Sequence, residues 1–356
     1  MIKFYTLLYI NSEESNLGNS VSGDYKEKIE KYVCCCSLFS KTLKANGAGS
    51  LCVISNNPGL VLSVDPELEC LSIPFKTHVP AEIPFASAHC KIDVLEYFST
   101  LEEGSYSILL DSDMICTSEI PYILERAASE GTGLFYNVTG QQFPAFTAER
   151  MCHDKELLVK GAFAEDFTST GLWAGGEFIG GSPAFFKALS GACYKILPVY
   201  LEHHKEMFHN GDEMIVSTAL EYLMQRRKIS AFDAGQMQLT GRYYDSNTCH
   251  VQQLWKHFRQ QFLIHLPMDK DFLAAYGATL LVKSIVAEEI RKKVTDTEFH
   301  MDSFMHTLEN HLSKNKTFLK ATVRADRALQ VLTGMYYGLR AFVKKITGHG
   351  NEPVNY

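Results

Sequence analysis

Along the chain, short apolar runs alternate with longer stretches whose apolar residues recur every three or four positions. The runs predict strands at 3–10, 51–55, 69–75, 106–110 and 133–138, and the longer stretches predict helices at 24–46, 86–100 and 119–129. Such alternation predicts a parallel α/β sheet flanked by helices. Segment 139–171 has mixed polarity and no clear period, and is expected to be a loop that closes over a ligand. A helix is expected after Ser182-Pro183, another from Met214 to Arg227, and a short strand at Phe262-Leu-Ile-His265. Beyond Lys270 the spacing is helical over 271–291, 301–312 and 321–346, so 1–269 is expected to form one domain and 270–356 a C-terminal helical region.

The chemistry begins where the run Tyr106-Ser-Ile-Leu-Leu110 ends in Asp111-Ser112-Asp113. Alternate side chains of a strand share a face, so both carboxylates project together past its buried part. Two readings are open: a seat for Mn²⁺ or Mg²⁺, whose hard oxygen preference they meet, or a turn using Asp and Ser for local hydrogen bonds. Gly171-Leu-Trp-Ala-Gly-Gly-Glu-Phe-Ile-Gly-Gly181 sets five glycines around Trp173 and Glu177. Glycine lets a backbone approach a ligand, so Gly175 and Gly176 are candidates for contact with a sugar-sized molecule. Trp173 reads either as a platform for a sugar ring or as core packing. Asn210-Gly211-Asp212-Glu213 opens a helix, where Asp212 and Glu213 serve either as ordinary first-turn acids or as functional carboxylates.

Composition narrows the classes. The 356 residues are 46% hydrophobic, enough for a sizeable core, and carry a formal charge of −7 with no basic stripe in the first domain. A nucleic acid is therefore not expected as partner. The ten cysteines include Cys34-Cys35-Cys36 and no CxxC pair, so free thiols are expected.

In order and spacing, the strand followed by Asp-x-Asp, the Gly-Gly-x-Phe-x-Gly-Gly segment, the Asp-Glu helix start and the late His265 resemble a nucleotide-sugar glycosyltransferase of the GT-A fold. The chain is most similar there to the retaining galactosyl- and N-acetylgalactosaminyltransferases of the blood-group A/B type, over roughly residues 1–265. It departs from them at Glu177, where that family has a small donor-selecting residue, and at Gly211, where the family has histidine. The resemblance implies a Rossmann-like sheet, a UDP-sugar donor and a Mn²⁺ or Mg²⁺ ion held by Asp111, Asp113 and His265. It also implies that Asp111 touches the ribose or the metal, and that His89, Lys91, Asp93 and Lys270 lie near the nucleotide or its diphosphate. Tyr9 and Asn11 are expected near the base. Glu213 matches the family's carboxylate beyond the anomeric carbon and Asp212 a contact to a donor hydroxyl, with Glu177 a third candidate for catalysis. The stereochemistry implied is retention.

The expected activity is transfer of a hexose or N-acetylhexosamine to a glycan or lipid-linked glycan, as in bacterial surface polysaccharide synthesis. Two other classes stand beside it: a nucleotidyltransferase acting on a sugar phosphate, and a non-catalytic glycan- or membrane-binding protein on a degenerate transferase scaffold. The opening Ile2–Ile10 run is too short for a membrane span and reads as a first strand, so a cytoplasmic location is expected. The last helical stretch, with Arg340, Lys344 and Lys345 beside Leu332 and Phe342, fits either contact with the inner face of an anionic membrane or packing on the catalytic domain.

Overall fold

The computed structural model describes residues 1–10, 24–80, 82–83, 85–142, 145–243 and 261–277. Its first half is β1 (Ile2–Leu8), α1 (Tyr25–Ala45), β2 (Leu51–Ser55), α2 (Pro58–Val64), β3 (Glu69–Leu71), a 3-10 turn (Ala86–Cys90), α3 (Lys91–Ser99), β4 (Tyr106–Leu110), β5 (Met114–Cys116) and α4 (Tyr122–Ser129). There follow β6 (Gly133–Asn137), α5 (Thr139–Gln142), α6 (Ala145–Phe163), β7 (Ala174–Gly181), α7 (Pro183–His203), α8 (Asp212–Gln225), β8 (Ala231–Asp233), β9 (Thr240–Arg242), β10 (Leu263–His265) and α9 (Lys270–Gly277).

The protein is α/β, compatible with a Rossmann-like arrangement, but the sheet is mixed where an all-parallel one was expected. Seven strands lie in the order β3-β2-β1-β4-β7-β6-β8. β3, β2, β1 and β4 are mutually parallel, whereas β7 runs antiparallel to both β4 and β6. The cause is the route into β7, which enters from the carboxyl ends of its neighbours. Leu110 pairs with Phe178, so Ala174 to Glu177 continue beyond the end of β4, beside the Asp-x-Asp segment.

Local sequence explains the elements. β2 and β4 are buried at every position, as strands covered on both faces must be. α1 starts at a capping box in which Glu27 N donates to Asp24 Oδ1 at 2.9 Å and Asp24 N donates to Glu27 Oε2 at 3.1 Å. Ser182 caps α7 and Pro183 opens it. Gly181 faces Phe185 so closely that a Cβ would come within 2.3 Å of the ring, which assigns this glycine to packing. The core runs through Phe4, Phe39, Val53, Ile108 and Phe186, and Ile108→Ala would cost about 2–5 kcal/mol.

Segment 139–171, expected to be a loop, is largely helix. Its pattern was obscured because the inward side of α6 carries the buried charges Asp154 and Lys155 among Met151, Leu158 and Val159. α2, β5, β8 and β9 were not foreseen, and β3 is shorter than the expected 69–75. A three-stranded sheet, β5-β10-β9, forms beside the main one. α9, the first helix of the expected C-terminal region, packs onto α1 through Leu273 and Ala274 against Cys35 and Leu38. The helices expected at 301–312 and 321–346 lie outside the described residues. The described cysteines are free, and among described residues no helix is long and apolar enough to cross a membrane.

Candidate active site and metal centre

β4 delivers two acids to the carboxyl end of the parallel strands. Asp111 N donates to Glu177 O at 3.3 Å, tying this end to the incoming β7. Asp113 is buried, while the Asp111 side chain keeps 32% of its surface exposed. The small sheet brings the third group: His265 pairs with Met114 on β5 and Arg242 on β9, and Leu266 N donates to Asp113 O at 2.9 Å. His265 Nε2 then lies 3.1 Å from Asp113 Oδ1 and 3.7 Å from Asp111 Oδ2.

One atom each of Asp111, Asp113 and His265 lies within 4.8 Å of the other two. Two hard oxygens with one imidazole nitrogen fit a Mn²⁺-type cation, so the residues present suit the group that the resemblance implied. The other ring nitrogen, Nδ1, faces Glu177 Oε1 at 3.5 Å. Burial alone would lower the His265 pKa, but Asp113 and Glu177 outweigh it and raise it to about 9. A metal ion would therefore displace a proton from this ring at neutral pH. Burial would push the Asp113 carboxyl up, yet Lys270 and His265 hold it well below the usual carboxylate range.

Two lysines flank the acids. Lys270 Nζ sits 2.5 Å from Asp113 Oδ2. Lys91 Nζ lies 3.1 Å from Asp111 Oδ1 and 3.5 Å from Asp212 Oδ2, and donates to Gly176 O at 2.8 Å. Burial disfavours both ammonium groups, but the surrounding carboxylates override it and keep both charged beyond the ordinary lysine range.

Glu213, in the first turn of α8, is firmly held. Gly176 N and Trp173 Nε1 each donate to it at 2.8 Å, Arg242 Nη2 lies at 3.6 Å and His209 Nε2 at 3.8 Å. Glu177 is fully buried and gripped by Arg242 through both oxygens, with Nη2 to Oε2 at 2.5 Å. Burial would raise its pKa, but Arg242 and His265 drive it far down, so it stays ionised.

Several residues expected at the ligand have other partners here. Trp173 is fully buried, so its ring offers no open face to a sugar; its indole N–H orients Glu213 instead. Glu177 is closed in by Arg242 and His265 and does not reach an open cleft. Fully buried His89 meets Phe85 O at 3.2 Å and Tyr200 Oη at 3.1 Å. Asp93 accepts from Thr77 N, Thr77 Oγ1 and Tyr194 Oη at 3.1, 2.9 and 2.6 Å. Its geometry is that of a structural anchor. Tyr9 stands just past β1, edge-on to Phe75 at 5.0 Å, and Asn11 lies outside the described residues. Arg242 and His209 were not foreseen. β9 is too short to show a period, and His209 precedes its helix by a turn, where the ring meets Trp173 at 5.1 Å. No protein-family model matches this chain, and no curated protein aligns with it at significant similarity.

Proposed function

We propose that the protein is a metal-dependent glycosyltransferase with a GT-A arrangement that moves a hexose or N-acetylhexosamine from a nucleoside-diphosphate sugar to a glycan or lipid-linked glycan. The observation that carries this reading is the meeting of Asp111, Asp113 and His265 at the carboxyl end of β4, with Lys91 and Lys270 beside them and the acids of α8 opposite. Ligands of open α/β sheets bind at this end.

Asp111, Asp113 and His265 would hold Mn²⁺ or Mg²⁺. Such an ion supplies Lewis-acid stabilisation of a departing diphosphate. The chain's own groups do the rest. Breaking the bond from the anomeric carbon puts negative charge on the leaving oxygen and cationic character on the sugar. Lys91 and Lys270 are fixed cations for the first charge. Glu213, kept oriented by its donors, is a fixed anion for the second. Asp212, 3.5 Å from Lys91, would accept from a donor hydroxyl. The reaction proceeds with retention, and a UDP-sugar is the donor class, as the resemblance implied. The acceptor belongs to a bacterial surface polysaccharide.

Mn²⁺-dependent release of a nucleoside diphosphate from a sugar nucleotide, lost in Asp113→Ala with the fold intact, is the expected result. Release of pyrophosphate instead would make the protein a nucleotidyltransferase, and unchanged turnover in the variant would reject the metal assignment. The anomer of the product reports the stereochemistry.

A further inference from the structure

We infer that Glu177 and Arg242 are positioning residues: one buried ion pair that aims His265 at the metal and at the same time steadies Glu213. This rests on the metal reading proposed above.

The two side chains sit between the parts they serve. Glu177 is fully buried on β7 and Arg242 nearly so on β9, so the main sheet and the small sheet meet through this pair. Towards the acids, Glu177 Oε1 faces His265 Nδ1 at 3.5 Å. An imidazole whose Nδ1 side is held towards a carboxylate presents Nε2 in the opposite direction, here at the point shared by Asp111 and Asp113. On the other side, the Arg242 guanidinium spans to Glu213 Oε1 at 3.6 Å while keeping two contacts to Glu177. Only arginine's planar fork serves both carboxylates in this way; an ammonium would satisfy one.

The backbone is shaped for the pair. A Cβ on Gly175 would fall 2.1 Å from Glu177 Oε2 and 2.7 Å from Arg242 Nη2. The first glycine of the Gly-Gly-Glu segment is therefore required by the ion pair. The Glu177 carboxylate of that segment faces Arg242 and His265. A pair needed only for folding would be indifferent to where His265 points. This one touches a metal-site residue at one end and the α8 carboxylate at the other.

The test measures Mn²⁺ binding by calorimetry on the whole protein without donor, along with the nitrogen hyperfine coupling of an imidazole ligand in the Mn²⁺ paramagnetic resonance spectrum. Glu177→Gln is expected to weaken Mn²⁺ about 10- to 100-fold and to reduce the nitrogen coupling. Arg242→Lys, which keeps the charge, is expected to retain Mn²⁺ affinity within about threefold while nucleoside-diphosphate release slows through kcat. Since a single change can unfold a buried pair, Glu177→Gln with Arg242→Gln removes both charges together. That double variant is expected to fold and still bind Mn²⁺ at least about tenfold more weakly. Wild-type affinity and coupling in the folded double variant would overturn the inference while leaving the metal site standing. Absence of Mn²⁺ binding by the unaltered protein would overturn both.

Discussion

Lys155 and Glu221, between α6 and α8, and the acids at the end of β4 are both buried ionic clusters, but they are balanced differently. Around Glu221 every oxygen has its donors: Thr170 N at 2.5 Å and Thr170 Oγ1 at 2.8 Å on Oε1, and Ser169 Oγ at 2.9 Å beside the Lys155 ammonium on Oε2. Lys155 gives a further bond to Leu172 O at 2.6 Å. One anion faces one cation. At the end of β4, Asp111, Asp113, Glu177, Asp212 and Glu213 face Lys91, Lys270, Arg242 and a histidine. Negative charge is in excess there, and part of Asp111 is open to solvent. Desolvated anions that outnumber their cations are costly unless a ligand brings positive charge. The closed pair holds the segment leading to Trp173 in place; the open cluster is left short of positive charge.

The largest effect should come from the closed pair. Lys155→Met leaves Glu221 buried without its cation and should cost about 3–5 kcal/mol in chemical denaturation. Mn²⁺ affinity of the folded variant should stay at the wild-type value. A loss under about 1 kcal/mol would show that Glu221 is satisfied by Ser169 and Thr170 alone. Next in size is the response of the open cluster to metal. Mn²⁺ at a hundred times its dissociation constant should stabilise the protein by about 2.7 kcal/mol, and Asp113→Asn should abolish that gain. An unchanged thermal shift in the variant would place the cation elsewhere.

What the sequence made legible follows from the same physics. β2, β4 and β6 were visible because they are apolar runs bounded by polar turns, and Asp111 and Asp113 stood out as carboxylates directly after one of them. α6 was hidden because Lys155 and Asp154 point inward where the period requires apolar residues. The antiparallel course of β7 leaves no trace in composition, and β5 and β9 are three residues each, too short to show alternation, whereas β10 was visible as the short apolar run ending in His265. His265 was picked out by resemblance alone. Arg242 was missed because an arginine is ordinarily a surface residue, and only its partner Glu177, itself expected as a candidate for catalysis, makes its burial intelligible.

A smaller effect separates the clusters by pH. In the absence of metal, His265 has a pKa of about 9 against 6.5 for an ordinary histidine. A raised folded-state value means that its contribution to stability is fully present below about 6.5 and disappears as pH rises through about 9, on the order of 1–3 kcal/mol. Stability to urea should therefore fall across that window without Mn²⁺. Bound Mn²⁺ would displace the same proton, so its stabilising effect should grow across the window. His265→Gln should remove both trends, and persistence of either would assign the titration to another group.

The smallest effect concerns Gly176, whose neighbourhood differs from that of Gly175 in one respect. A Cβ on Gly176 would stand 2.9 Å from Lys91 Nζ and 3.4 Å from Glu213 Oε1. The first of these is a single side-chain end that needs to give by only a few tenths of an ångström while staying near Asp111 and Asp212, whereas beside Gly175 two side chains locked to each other would have to shift much further. Gly176→Ala should accordingly change stability by no more than about 1 kcal/mol and leave Mn²⁺ affinity untouched, since Lys91 is not a ligand. Nucleoside-diphosphate affinity should drop severalfold as the ammonium leaves its place beside Asp111. If Mn²⁺ affinity falls as well, Lys91 and the metal ligands form one unit, and the phosphate cations are not separate from the cation-binding acids.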